Sequence, residues 1–353
     1  MLSKTLKIGN LPAVLPIIQG GMGVGVSRCN LAGAVAKAGG IGIISTAQIG
    51  YDEPDFEKEQ ISTNLKAINK HIKKAKEIAQ GNGLVGVNIM VATKQYENYV
   101  REAANAGADV IISGAGLPID LPAYVKGTKT KIAPVVSSIK AIKLLLKMWD
   151  KKAGRTADFI VIENARAGGH LGFTKEEVEN FSSEIYEEEI KGIIAAKQPF
   201  EKKYGIHIPV IVAGGIFDYA DIKHVIEMGA DGAQIATRFV VTEECDASQE
   251  YKEAYIQAKK EDIEIVLSPV GMPGRAIGNP FMKKTKEGKV IIKKCYNCLE
   301  KCNPATIPYC ITKALINAVD GHINDGLIFC GDNVDKLKKM TTVPELMKEL
   351  AGA

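Results

Sequence analysis

The stretch IEMGADGAQIA, residues 226–236, decides the fold because it joins the end of a helix, a glycine and the start of a strand. The same order recurs in ANAGADVII (104–112) and KKAGRTADFIVI (151–162). Glycine after a helix permits the left-handed conformation that ends it. The aliphatic run that follows is typical of a strand buried on both faces of a parallel sheet. These stretches therefore predict helices that alternate with parallel strands.

Short aliphatic runs alternate with amphipathic segments over most of the chain. Segments such as SIKAIKLLLKMWDKKAG (138–154) carry apolar residues at three-to-four spacing, which predicts helices. The predicted strands are VLPIIQ (14–19), GIGIIS (40–45), LVGVNIMV (84–91), DVIIS (109–113), KIAPVVS (131–137), DFIVIE (158–163), IPVIVAG (208–214) and GAQIA (232–236). Eight such units predict an α/β protein with a (β/α)8 TIM-barrel fold, in which the loops after the strands carry the function. An open doubly wound sheet is the alternative.

The alternation stops after residue 260, where irregular stretches begin. We expect residues 1–260 to form the barrel and residues 261–353 to form a C-terminal appendage, with a cysteine segment at 295–310, that packs on the barrel. The appendage contains GMPGRAIGNPF (271–281), and its Arg275 is expected either at the surface or at a phosphate of a bound nucleotide.

The composition is that of a globular protein with a large aliphatic core, since 46% of its 353 residues are hydrophobic and only 6% are aromatic. The net charge of +4 is mild and spread over helical segments such as HIKKAKE (71–77), so nucleic acid is not an expected partner. No apolar run reaches the ~18 residues of a membrane span, and the N-terminus lacks the apolar stretch of a signal peptide. We therefore expect a soluble, cytoplasmic protein that acts on a small molecule. An oligomer is compatible with the sequence.

Glycine-rich loops follow several of the predicted strands. They are QGGMGVG (19–25), SGAGLP (113–118), ARAGGHLG (165–172) and AGGIFD (213–218), and GAQIATRF (232–239) carries the eighth strand into its loop. In a barrel the loops after the seventh and eighth strands commonly bind phosphate, because glycine lets backbone N–H groups point at it. The last two loops are therefore predicted to bind a phosphate; the alternative is that AGG is only a tight strand-to-helix turn. A dinucleotide-binding interpretation of GMGVGV finds no suitably placed acidic residue.

Five motifs occur in a fixed order: IIQGGMG (17–23), GVNIMV (86–91), AGGHLG (167–172), VIVAGGI (210–216) and GAQIATRF (232–239). Together they resemble the motifs of the nitronate monooxygenase family, formerly called 2-nitropropane dioxygenases, and of the related class II FMN-dependent enoyl-ACP reductases. The resemblance covers roughly residues 10–280. It implies a TIM barrel that binds FMN at the C-terminal mouth.

The resemblance also implies flavin-binding roles for residues of these motifs. Those expected beside the flavin are Gly20, Gly21, Met22 and Asn88, and those expected at its phosphate are Ala213, Gly214, Gly215, Gln234, Ala236 and Thr237. Gly168 and Gly169 are expected to bring their backbone close to the bound ligand. Relatives usually have glycine at the position of Ala236, so its methyl group is expected to shift the phosphate contact slightly without abolishing it.

His170 is the candidate catalytic residue, because it follows a strand and is flanked by glycines. A neutral imidazole can accept or donate a proton near pH 7. In nitronate monooxygenases the matching histidine is regarded as a base or a hydrogen-bond donor to the nitro group, and in the reductases it is linked to substrate or cofactor binding. Glu163 is expected to contact the flavin or orient the loop; a buried structural carboxylate is the alternative. The remaining histidines are expected to be structural: His71, His207, His224 and His322.

The cysteine segment CYNCLEKCNPATIPYC contains four thiols in C-x2-C-x3-C-x7-C spacing, at Cys295, Cys298, Cys302 and Cys310. Four soft ligands this close could hold zinc or an iron–sulfur cluster. The spacing matches neither a ferredoxin run nor a zinc ribbon, and the family resemblance requires no metal here. Reduced structural cysteines are therefore favoured over a metal site.

The sequence favours an FMN-dependent oxidoreductase of the nitronate monooxygenase type that oxidises alkyl nitronates. The alternative enzymes are an NAD(P)H-dependent enoyl-ACP reductase or an NAD(P)H:quinone reductase, for which NAD(P)H would be the reductant. A non-enzymatic alternative is a flavin-binding redox sensor that uses the cysteine segment as its output. No hydrolase or NTPase motif occurs in the chain.

Overall fold

The computed structural model describes residue 2 and residues 5–288 and 290–353. Its strands are β1 (Leu6–Ile8), β2 (Leu11–Ala13), β3 (Ile17–Gln19), β4 (Ile41–Ser45), β5 (Leu84–Met90), β6 (Val110–Gly114), β7 (Lys131–Val136), β8 (Ile160–Glu163), β9 (Gly169–His170), β10 (Val210–Ala213), β11 (Gly232–Ile235), β12 (Ile263–Leu267) and β13 (Pro273–Ile277). Its α-helices are α1 (Cys29–Lys37), α2 (Gln60–Ala79), α3 (Tyr96–Asn105), α4 (Leu121–Tyr124), α5 (Ile139–Ala153), α6 (Lys175–Glu179), α7 (Ser183–Tyr204), α8 (Tyr219–Glu227), α9 (Thr237–Val240), α10 (Gln249–Gln257), α11 (Pro280–Glu287), α12 (Ile311–Val319) and α13 (Val343–Ala351).

A closed parallel barrel forms the centre of the molecule. The strands follow each other around it in the order β3-β4-β5-β6-β7-β8-β10-β11, and β11 pairs with β3 to close the ring. The predicted (β/α)8 TIM barrel is confirmed, and each barrel strand coincides with a predicted run to within three residues at either end. Gly107, Gly154 and Gly229, the glycines of the three opening stretches, all have positive φ after a helix. Their role as helix ends is therefore also confirmed.

Two separate cores explain why the barrel strands are aliphatic on both faces. Residues such as Ile44 and Val87 face outward and pack against the helices, while Ile18, Ile43 and Val161 fill the barrel interior. Helix α5 shows the pattern of the outer layer, because its apolar stripe ends at the fully buried Trp149. The Trp149 indole N–H donates to the Pro118 carbonyl at 2.9 Å, which ties the helix to the loop after β6.

An N-terminal hairpin that sequence patterning did not predict closes one end of the barrel. Strands β1 and β2 pair antiparallel. Leu6, Ile8 and Ala13 of this hairpin belong to the same buried cluster as the side chains of the barrel interior. The opposite end, where the carboxyl ends of the strands meet, is left for the functional loops.

The chain beyond residue 260 contacts the barrel and its loops at several places, and two of them involve regular elements. Strand β13 pairs antiparallel with both β12 and β9, and β9 belongs to the loop that follows β8. Helix α13 contacts α1 and α8, and its Glu349 pairs with Arg238 at 2.8 Å. The division into a barrel at 1–260 and an appendage at 261–353 stays a prediction. None of the described helices is long and apolar enough to cross a membrane.

Gly42 in β4 tests how closely α1 packs on the barrel, because a Cβ there would lie 1.9 Å from the Ala32 carbonyl oxygen. We expect Gly42→Ala to lower the free energy of unfolding by about 3 kcal/mol, since a backbone atom has to move. Gly288→Ala is the control, because a Cβ there meets no atom of the described residues within 4 Å; we expect it to change stability by less than about 0.5 kcal/mol. Urea denaturation measures both, and equal effects would contradict this close approach.

Candidate active site at the barrel mouth

A cavity of about 230 Å³ lies at the carboxyl ends of the barrel strands. Since one water molecule needs only about 10–15 Å³, the cavity can admit an organic ligand. His170 and all the predicted flavin-binding residues line it: Gly20, Gly21, Met22, Asn88, Glu163, Gly168, Gly169, Ala213, Gly214, Gly215, Gln234, Ala236 and Thr237. The structure thus brings the predicted residues together, while their assignment to a flavin stays a prediction.

Two glycines in the loops around this cavity pack so closely on neighbouring side chains that a Cβ at either position would collide with them. A Cβ on Gly21 would lie 2.5 Å from the Cβ of Asn88, and one on Gly214 would lie 2.3 Å from the Asn164 amide oxygen. Gly214 and Gly215 both have positive φ, which turns the backbone sharply after β10. These loops therefore expose backbone at the cavity wall, as a phosphate-bearing ligand requires.

Closure of the barrel places the first and the last strand side by side at this cavity. Ile18 is in register with Gln234, and the Gly20 N–H donates to the Ile235 carbonyl at 2.9 Å. The loops after β3 and β11 consequently face the same space. Ala236 and Thr237 follow directly, and Thr237 Oγ1 accepts the Gly331 N–H at 3.0 Å.

His170 is held by the sheet that β9 forms with β13, where it pairs with Gly274. Its Nε2 lies 2.7 Å from the Ser268 hydroxyl, and its ring packs edge-on against Phe329 at 5.0 Å between centroids. Burial without an acidic neighbour lowers the pKa of His170 to about 4. The imidazole is therefore neutral at physiological pH.

Glu163 ends β8 on the cavity wall. Burial raises the pKa of its carboxyl group to about 7, because no charged partner offsets the loss of solvation. The Tyr186 hydroxyl donates to the backbone carbonyl of Glu163 at 3.2 Å and to that of Ser137 at 2.8 Å, which fixes the ends of two strands. A carboxyl group that titrates near neutral pH can hold or release a proton inside the cavity.

The segment at residues 329–333, which was not predicted from the sequence, forms one wall of the cavity. Its sequence, FCGDN, follows the apolar run GLI, so it has the apolar-run-then-glycine pattern of the other mouth loops. The buried Tyr255 hydroxyl donates to the Phe329 carbonyl, which holds the start of the segment. The Asn333 side-chain amide donates to the Gly215 carbonyl at 2.8 Å, which holds its end against the loop after β10.

Arg166 was also missed, and it joins this segment to the loop that carries His170. Its Nε donates to Asp332 at 2.6 Å, and its Nη2 lies 3.4 Å from the Asn333 amide oxygen. Arg166 lines the cavity together with Asp332 and Asn333. The signal available in the sequence was an arginine four residues before His170, within a glycine-rich loop.

Arg275 corrects an expectation, because it is buried rather than at the surface. Its Nη1 donates to the carbonyls of Ala165 and Ala167, which are in the loop between β8 and β9. Arg275 does not line the cavity. It therefore stabilises the conformation of the loop that presents His170.

The four cysteines of segment 295–310 are free thiols. Among the residues that the structure describes, no three His, Cys, Asp or Glu side chains are arranged to hold a metal ion. Burial raises the pKa of the Cys298 thiol to about 11, so the thiol is protonated at neutral pH. The Cys298 carbonyl accepts the Lys94 N–H at 3.1 Å, which attaches the segment to the loop after β5.

The other four histidines, His71, His207, His224 and His322, do not line the cavity. His71 is buried on α2, and burial lowers its pKa to about 4. His207 lies between Glu201 and Asp231, and His224 pairs with Glu187. His170 is thus the only histidine that reaches this cavity within the described chain.

Known proteins with similar sequences and folds bear on the family of this chain. The family described as "Nitronate monooxygenase" matches residues 4–352. A probable nitronate monooxygenase of Staphylococcus saprophyticus is 26% identical over 79% of this chain and 80% of that protein. One of Bacillus subtilis is 23% identical over 95% of this chain and 94% of that protein.

Two solved structures share the fold. FabK from Thermotoga maritima superposes with a TM-score of 0.70 at 24% identity, covering 96% of this chain and 92% of that chain. A nitroalkane oxidase from Streptomyces ansochromogenes superposes with a TM-score of 0.72 at 19% identity, covering 96% and 95%. Since the family match spans almost the whole chain, this protein belongs to the nitronate monooxygenase family and is an oxidoreductase.

Proposed function

We propose that the protein is an FMN-dependent oxidoreductase that oxidises alkyl nitronates. The observation that carries this proposal is the meeting of a neutral histidine with the glycine turn after β10 and the start of α9 after β11 in one cavity. His170 lies on the loop after β8, Gly214 and Gly215 lie on the loop after β10, and Thr237 is the first residue of α9. This combination suits a cofactor bound by its phosphate and a substrate held by an imidazole.

The residues present fit FMN. The backbone of Gly214 and Gly215, with that of Ala236 and Thr237, would hold its phosphate, and Gly20, Gly21 and Asn88 would lie beside the ring and its ribityl chain. Gly21 and Gly214 pack so closely on Asn88 and Asn164 that neither position has room for a side chain, and both glycines line the cavity with backbone. When bound, a flavin accepts electrons from the substrate and passes them to oxygen or another acceptor.

Ser268 holds the Nε2 side of the His170 ring, and the direction of this hydrogen bond follows the tautomer of the ring. The Ser268 Oγ also accepts the Val270 N–H at 3.3 Å. The proposed reaction requires the tautomer with its proton on Nδ1, in which the Ser268 hydroxyl donates to Nε2. Such a ring donates a hydrogen bond to an anionic oxygen, which favours a nitronate over a neutral nitroalkane as substrate.

Apolar side chains lower the polarity of part of the cavity. Phe329 packs against the His170 ring, and Met22, Leu315 and Tyr255 are also among the residues that line the cavity. A hydrogen bond from His170 to a bound anion is stronger in such surroundings than in water. Glu163, with its pKa near 7, can take up or release the proton that accompanies electron transfer.

The first prediction concerns cofactor and substrate. We expect purified protein with FMN to show the visible absorption of oxidised flavin and to turn over propionate-3-nitronate in air without pyridine nucleotide. Oxygen consumption measures the turnover. Bleaching of the flavin by NAD(P)H together with turnover of an enoyl thioester would instead establish the reductase, and a colourless protein that does not take up FMN would contradict both.

The second prediction concerns His170. We expect His170→Ala to lower kcat/KM for the nitronate by about a hundredfold, because a donor to the substrate anion is lost. His170→Asn keeps a side-chain N–H and should lose less. The control is His224→Ala, since His224 is exposed on α8 and contacts Glu187 outside the cavity. If both alanine variants keep wild-type kcat/KM at equal flavin content, His170 is not the substrate-binding residue.

The third prediction concerns protonation of His170. We expect its imidazole to titrate far below the ordinary value of 6.5, near pH 4, because burial disfavours the charged ring. The unfolded chain binds this proton more readily, so the contribution of His170 to folding becomes unfavourable as the pH falls below about 6.5. Proton NMR titration of the five histidines, assigned with His170→Ala, measures the pKa. A pKa of 6.5 or above for the missing signal would contradict a buried neutral ring.

A further inference from the structure

Arg166 is the only lysine or arginine among the described residues that line the cavity. The other ionisable side chains there include two carboxyl groups, Glu163 and Asp332. A phosphate monoester carries nearly two negative charges above its second pKa, near 6. Backbone N–H groups orient such a group, but they do not balance its charge beside two acids. The guanidinium of Arg166 is the one cationic group that the cavity offers for this purpose.

Arg166 lies at the predicted phosphate end of the cavity. A Cβ built on Gly215 would be 3.0 Å from both the Cζ and the Nε of Arg166. Gly215 belongs to the turn after β10, whose backbone is expected to contact the phosphate. The guanidinium therefore packs directly on the turn that would bind the anion.

The orientation of the guanidinium leaves part of its donor set available. Its Nε is taken by Asp332 at 2.6 Å and its Nη2 faces Asn333 at 3.4 Å, while Nη1 donates to no residue that the structure describes. Asp332 in turn donates its backbone N–H to the Arg166 carbonyl at 3.3 Å. The second carboxylate oxygen of Asp332 is buried and accepts no hydrogen bond from the described residues. Arg166 and Asp332 thus hold each other in place, and each still has hydrogen-bonding capacity that no described residue uses.

We propose that Arg166 is the residue that makes this cavity selective for a phosphorylated flavin over an unphosphorylated one. The inference rests on the proposed function, because it takes the ligand to be a flavin. The guanidinium would donate a hydrogen bond to a phosphate oxygen, while the Asp332 carboxylate accepts the hydrogen bond from Arg166 Nε. Charge-assisted hydrogen bonds of this kind are about twice as strong as neutral ones.

The competing interpretation is that Arg166 has only a structural role, in which its ion pair with Asp332 holds segment 329–333 against the barrel. The two interpretations differ in what happens to ligands with and without a phosphate. A purely structural role of Arg166 would affect the binding of FMN and riboflavin alike, since both share the ring and the ribityl chain. A phosphate-binding residue affects FMN alone.

The experiment titrates flavin-free protein with FMN and with riboflavin and follows quenching of flavin fluorescence. We expect wild type to bind FMN more tightly than riboflavin. We expect Arg166→Gln to weaken FMN binding by about tenfold to a hundredfold, the effect of one hydrogen bond to a charged group, and to leave riboflavin binding unchanged. Arg166→Lys keeps the charge without the guanidinium fork and should lie between.

Arg155→Gln is the matched control, because Arg155 pairs with Asp158 at 2.5 Å near the opposite end of β8. It should leave both dissociation constants unchanged. If Arg166→Gln lowers the affinities for FMN and riboflavin equally, the inference is overturned and the purely structural role of Arg166 is favoured. The inference is also overturned if the variant keeps the wild-type preference for FMN. Wild-type protein that binds neither flavin would overturn the proposed function and this inference with it.

Discussion

The pairing of β11 with β3 is the contact on which the site depends. It closes the barrel and sets Gln234 beside Ile18, although more than two hundred residues separate them in the chain. Each parallel strand ends at the same rim, so closure brings the loops after β3, β8, β10 and β11 around one cavity. Without closure the glycine-rich motifs would be separate turns along an open edge.

A second constraint operates on the loop that carries His170. This loop has little regular structure of its own apart from the two-residue strand β9, which depends on β13 for its pairing. Arg275 on β13 holds the carbonyls of Ala165 and Ala167, and Ser268 holds the imidazole itself. The chain beyond residue 260 therefore does more than cover the barrel, because it orients the histidine at the mouth.

The sequence predicted the parts of the site that depend on local order. A helix, a glycine and an aliphatic run succeed one another within a few residues of the chain. This order predicted the eight strands and the placement of Gly214, Gly215 and His170 at the strand ends. Residues whose roles depend on distant partners were not predicted. Arg166 contacts Asp332 and Arg275 contacts Ala165, and in both pairs the partners lie more than a hundred residues apart, so no local sequence pattern indicates the contact. The N-terminal hairpin was missed because its strands are too short to show a period.

By itself, then, the sequence determined the barrel, the rim where its glycine-rich loops lie and the single histidine on those loops, because these follow from periodicity and from glycines after strands. Only the tertiary structure decided the electrostatics of the cavity. Burial makes His170 neutral and brings the carboxyl group of Glu163 to a pKa near 7, and both shifts depend on which atoms surround the groups. Segment 329–333, with Arg166 beside it, became part of the cavity only because the C-terminal chain returns to the barrel mouth.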